Sequence, residues 1–151
     1  MRLPIIAATA FAAAIAAPLH ADAGVILNSA VFVERSDGAA HARRFIEPAS
    51  LLNRGDNVVL VLDWHAHRQS NGFVLTSPIP GTLKFQRSSR DNQEVSVDGG
   101  KSWGQIGQLR VADGGAWRFA TPEDVTHIRW RIPADMATRG SGRVTYRALV
   151  R

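Results

Sequence analysis

Two groups of residues have the types and spacing to bind a ligand. Asp63, His65 and His67 alternate at the end of an apolar run. On an extended strand, residues two apart project from one face, so these three form a candidate set of metal ligands. The plainer reading is a sheet face whose polarity rises toward the strand end, and it is the one adopted, with the three residues kept as metal candidates. The second group is cationic. In the run 125–132, Ile128, Trp130 and Ile132 alternate with His127, Arg129 and Arg131; near the C terminus, Val144, Tyr146, Ala148 and Val150 alternate with Arg143, Thr145, Arg147 and Arg151. If the two strands are neighbours, Arg129, Arg131, Arg143 and Arg147 make one guanidinium block. Like charges side by side cost stability, so such a face either draws carboxylates from adjacent strands or holds an anionic partner.

The segment Ser96-Val97-Asp98-Gly99-Gly100-Lys101-Ser102-Trp103 fits the Asp-box pattern S-x-D-x-G-x-S/T-W found in propeller proteins. Its aspartate is expected to accept backbone N–H groups across the turn while the tryptophan packs beneath it, which makes it a hairpin clamp with no chemistry of its own. A propeller needs several copies at blade spacing, and the chain has one. No paired carboxylates flank it, as glycoside hydrolysis would need. There is no G-x-S-x-G elbow and no phosphate-cradling loop. The chain is therefore read as a non-enzyme with no catalytic residues and no cofactor.

The elements that must position these residues begin after an export signal. Arg2 precedes an apolar run from Ile5 to Ala17 that is too short to span a bilayer, and Ala21-Asp22-Ala23 offers an A-x-A cleavage site. Residues 1–23 are expected to be a cleaved signal peptide and residues 24–151 the mature domain, in the periplasm, at the cell surface or outside the cell. A domain of that size buries about two-thirds of its unfolded surface and needs no disulfide or metal to fold. Cysteine is absent, which excludes a lipid-modified cysteine, zinc–thiolate sites and thiol chemistry. The formal net charge is +5, and Lys84 and Lys101 are the only lysines, so the positive surface is nearly all guanidinium and suited to carboxylate, phosphate or sulfate. Export and the lack of an aromatic stacking set argue against nucleic acid as a partner.

Beyond residue 24 the hydrophobic period is two. Val31–Glu34 and Arg43–Glu47 read as early strands; Val58 to about His67 as the longest, with Val58, Leu60, Leu62, Trp64 and Ala66 on its core face; then Phe73–Thr76 and Leu83–Gln86. Glu94–Val97 and Ser102–Ile106 are expected to form a hairpin, with Val111 and Trp117–Phe119 a further pair around Gly114 and Gly115. Val125–Ile132 and Arg143–Val150 complete the set. Eight or nine short strands with no convincing helix predict an all-β, immunoglobulin-like β-sandwich closing around its tryptophans.

The order of five motifs carries a family resemblance over residues 47–151. They are Arg54-Gly55-Asp56 with the strand Val58–Trp64; Ser77-Pro78-Ile79-Pro80-Gly81 with Leu83-Lys84-Phe85; Ser96-Val97-Asp98-Gly99-Gly100; Thr126-His127-Ile128-Arg129-Trp130; and Gly142-Arg143-Val144. In this order they resemble the bacterial conserved-repeat-domain family, also called domain of unknown function eleven. Arg54 stands where proline is usual, and Trp64-His65-Ala66-His67 replaces an asparagine-containing strand end. The resemblance implies an extracytoplasmic immunoglobulin-like sandwich of surface and secreted proteins, with no shared catalytic residues and no agreed ligand.

The expected function is an exported, non-enzymatic structural or interaction module of the cell envelope, not embedded in the membrane, whose partner is an envelope or surface component, either a protein or an anionic polymer. The alternative is a small-ligand binder, taking an anionic glycan on Arg129, Arg131, Arg143 and Arg147 or a metal on Asp63, His65 and His67.

Overall fold

Alternation along the residues from Asn57 to Ala66 sets the layers. Val58, Leu60, Leu62, Trp64 and Ala66 are all buried, and they point toward a second sheet that supplies Phe73, Leu75, Ile128, Trp130 and Ile132. The computed structural model describes residues 20–21, 24–36, 44–67 and 71–151. Its strands in chain order are β1 (His20–Ala21), β2 (Val25–Ser36), β3 (Arg44–Pro48), β4 (Asn57–Ala66), β5 (Phe73–Pro78), β6 (Leu83–Ser88), β7 (Gln93–Ser96), β8 (Arg110–Asp113), β9 (Ala116–Phe119), β10 (His127–Ile132) and β11 (Ser141–Val150). Of the expected signal peptide only His20 and Ala21, which form β1, are described; residues 1–19, 22 and 23 lie outside the described residues, as does Arg43 at the start of the second expected strand.

Two antiparallel sheets enclose one continuous core. The first has the order β1-β5-β10-β7 and the second β3-β2-β4-β11-β6, while β8 and β9 pair only with each other. The fold is thus nearly all-β, as its period-two pattern predicts. Helical structure among the described residues is confined to a 3₁₀ turn at Pro122–Asp124 and a single α turn, α1 (Ala134–Ala137).

Three expectations need correction. The strands that end the chain are not neighbours: β10 lies between β5 and β7 in one sheet, and β11 between β4 and β6 in the other. Pro133 and α1 carry the chain across the end of the sandwich, so consecutive strands land in opposite layers. The predicted second hairpin arm, Ser102–Ile106, reduces to one bridge in which Val95 and Gly104 exchange backbone hydrogen bonds of 2.9 and 3.0 Å. Finally, Trp64 and Trp130 are fully buried, but Trp103 is only half-buried and Trp117 is 69% exposed.

Packing around Trp64 explains one glycine. Gly142 stands opposite Trp64 in the β4–β11 register. A Cβ added there would lie 2.6 Å from Trp64 Cε2, inside any tolerated contact, so the indole can cover β11 only because residue 142 has no side chain. Trp64 also meets Phe73 from the other sheet edge-to-face, with ring centroids 5.1 Å apart.

Val59 and Val61 project from the outer face of β4 yet are buried too. They sit mid-sheet, with Phe32 and Arg147 opposite Val59 and with Ala30 and Thr145 opposite Val61. Neighbouring side chains on both flanks exclude water from the centre of that face.

Candidate functional site

The four arginines singled out from the sequence occupy two surfaces. Arg129 and Arg131 lie on the outer face of the sheet containing β10, and Arg143 and Arg147 on the outer face of the sheet containing β11, so they form no common block. Each meets a carboxylate. Arg129 Nε donates to Glu94 Oε2 at 2.8 Å and Arg131 Nε to the same oxygen at 3.3 Å. Arg143 makes a two-pronged contact with Asp63 (Nε to Oδ1 2.6 Å, Nη2 to Oδ2 3.0 Å), and Arg147 donates to Glu34. Hydrogen bonds from Arg129 hold the Glu94 carboxyl below the usual carboxylate range, and those from Arg143 do the same for Asp63.

The contact to Arg143 also changes the reading of Asp63, His65 and His67. Asp63 and His65 share the outer face of β4, but His67 lies beyond the strand, which ends at Ala66. Both Asp63 oxygens are engaged by guanidinium. Among the described residues no three His, Cys, Asp or Glu side chains are placed to hold a metal ion.

The Asp98 turn follows the clamp geometry. Asp98 Oδ1 accepts the backbone N–H groups of Lys101 (3.0 Å) and Ser102 (2.9 Å) and the Ser96 hydroxyl (2.7 Å), while Oδ2 accepts the Ser102 hydroxyl (2.6 Å). These donors, led by Ser102, hold the carboxyl far below its ordinary range. Gly99 and Gly100 supply left-handed backbone at φ 78° and 90°. Trp103 closes the turn by donating Nε1–H to the Gly100 carbonyl at 3.0 Å, and the Arg129 guanidinium lies 4.4 Å over its ring. Both Asp98 oxygens are thus engaged within the turn, and the Trp103 ring meets Arg129.

The surface that sequence reasoning did not single out is the β8–β9 hairpin. Its register places Arg110 opposite Phe119 and Ala112 opposite Trp117, so these four share one face; Val111, Asp113, Ala116 and Arg118 share the other. The second face is tied down. Arg118 donates Nε to Asp113 (2.9 Å) and both terminal nitrogens to Asp124 (2.6 and 2.9 Å), joining the hairpin to the 3₁₀ turn. Asp124, which also caps Thr121, is held far below the carboxylate range chiefly by Arg118. The first face is open: Trp117 is 69% and Phe119 56% exposed, and the Arg110 guanidinium lies 4.9 Å over the Phe119 ring. The sequence signal was present in the aromatic pair two residues apart beside Gly114-Gly115, but alternation alone does not tell an inward face from an outward one.

Compared with family models, with curated proteins and with solved structures, the chain matches none. No described helix is long and apolar enough to cross a membrane.

Proposed function

We propose that this chain is an exported, non-enzymatic interaction module of the cell envelope, an immunoglobulin-like sandwich akin to the conserved-repeat-domain family, whose contact surface is the β8–β9 hairpin. The observation that carries the reading is the open hairpin face, where Trp117 and Phe119 stand side by side in solvent. Clustered exposed aromatics of this kind are enriched at recognition surfaces. Kinship with the family rests on the order of the five motifs, and export on the Arg2-to-Ala23 pattern.

The ion pairs of Arg129, Arg131, Arg143 and Arg147 weigh against the alternative. A guanidinium already matched to a carboxylate must surrender that partner before it can take an anionic glycan. Engagement of Asp63 by Arg143 weighs in the same direction for a metal.

The test uses tagged chain expressed with its leader in a bacterium with an outer membrane. N-terminal sequencing of the product should begin at Gly24. Crosslinking in the intact envelope should give association that persists in Arg129→Ala/Arg147→Ala and is lost in Trp117→Ala/Phe119→Ala. An unprocessed cytoplasmic product, or no association, overturns the reading.

A further inference from the structure

The hairpin face specifies what it can meet. Arg110, Ala112, Trp117 and Phe119 combine two flat rings with one cation, and no carboxylate shares the face: the nearby Asp113 is on the opposite side, bonded to Arg118. Among the described residues Arg110 has no acidic partner, only the Phe119 ring beneath it. The occupant must therefore offer apolar surface and negative charge together. A second copy does not meet that requirement, because a two-fold contact of this face sets Arg110 near Arg110 on molecules that each carry a formal charge of +5. A folded protein partner is also disfavoured on area. Strands of four residues, two abreast, span roughly 14 Å by 10 Å, far less than the ~800 Å² per partner of a stable protein complex. The face is moreover a projecting ribbon, which would have to find a matching pocket.

A bilayer surface needs neither area nor a pocket. Tryptophan and phenylalanine partition into the headgroup boundary, and cations beside them are drawn to anionic lipid. Resting on the interaction-module reading, we infer that the β8–β9 hairpin docks this protein peripherally on an anionic phospholipid surface, with Trp117 and Phe119 inserted among the headgroups and Arg110 against lipid phosphate. Arg118, through Asp124, holds the ribbon to the body of the sandwich so that insertion of the rings anchors the whole domain.

The experiment is co-sedimentation with phosphatidylcholine vesicles, with or without added phosphatidylglycerol. Wild type and variants are compared in the same processed form, since the apolar N-terminal run would itself partition into lipid. Wild type should bind the phosphatidylglycerol vesicles, with a blue shift in tryptophan emission that Trp117→Phe removes. Binding should fall at least about tenfold in Trp117→Ala/Phe119→Ala, whose rings contribute the interfacial partitioning, and should weaken in Arg110→Ala and at high salt. Both aromatics are exposed, so unchanged thermal midpoints verify that the variants are folded. Vesicle binding that is absent, or indifferent to the double substitution, overturns the inference. So does a Trp117-dependent dimer in ultracentrifugation, or Trp117-dependent retention on peptidoglycan or on an acidic protein without vesicle binding. Failure here with hairpin-dependent envelope association intact removes the lipid and leaves the module; loss of both removes both.

Discussion

Arg143 and Asp63 face each other across β11 and β4, eighty residues apart in sequence, and meet through two parallel hydrogen bonds of 2.6 and 3.0 Å. This pairing turns a candidate metal ligand into half of an ion pair. In Arg143→Ala the Asp63 carboxyl should titrate at higher pH, back toward the ordinary range near 4, as followed by carboxyl-carbon NMR. The pair is largely exposed, so its loss should move the thermal midpoint little. An unmoved Asp63 midpoint would show that some other group holds its charge.

Acid should weaken the fold through several such groups at once. Asp63, Glu94, Asp98 and Asp124 are held below the ordinary carboxylate range, and Lys84, with backbone and Thr121 hydrogen bonds, holds Glu123 at about 2. Each binds its proton less readily folded than unfolded, so its contribution is complete above the unfolded value near pH 4 and is lost as pH falls through the folded value. Urea midpoints should be level, so far as these carboxylates decide them, from pH 7 to pH 5, and should drop between pH 4 and pH 2. Stability that rises with acid would contradict this sign.

Gly142→Ala should cost about 1–3 kcal/mol in urea unfolding, the usual penalty for overpacking, because its new methyl must displace the Trp64 indole. A neutral outcome would mean that the indole has room to shift.

The tryptophans should separate by their surroundings. Trp130→Ala removes a fully buried ring and should cost about 3–5 kcal/mol, whereas Trp117→Ala should stay within about 0.5 kcal/mol, as surface substitutions do. Iodide should quench Trp117 far more than Trp64 or Trp130.

Arg118→Ala cuts the hairpin loose from Asp124. Proteolysis within residues 110–119 should then accelerate while the sandwich core stays resistant, since a two-stranded ribbon is marginal by itself. Equal resistance in both proteins would show that the ladder bond from Ala120 N–H to the Leu109 carbonyl suffices.

Residues with one consistent signal were legible in the sequence. The alternation from Val58 to Ala66 gave the core face of β4, and the Ser96-to-Trp103 spacing gave the clamp, because both are local patterns whose geometry follows from the backbone. The arginine block was not legible. Its assembly depends on which strands become neighbours, and the crossover at Pro133 and α1 sends β10 and β11 into different sheets, a long-range choice that period-two alternation does not encode. The same limit hid Trp117 and Phe119, whose alternation fits a core strand and an open ribbon equally well.

The position of β11 bears on when this protein can fold. The strand nearest the C terminus fills the gap between β4 and β6, and Val150 N–H closes onto the Asp56 carbonyl. The edge strand β6 thus has no neighbour in the five-stranded layer until β11 has been made. Pairing of β6 with the rest of that layer therefore waits for β11, whereas β2, β3 and β4 can already pair with one another.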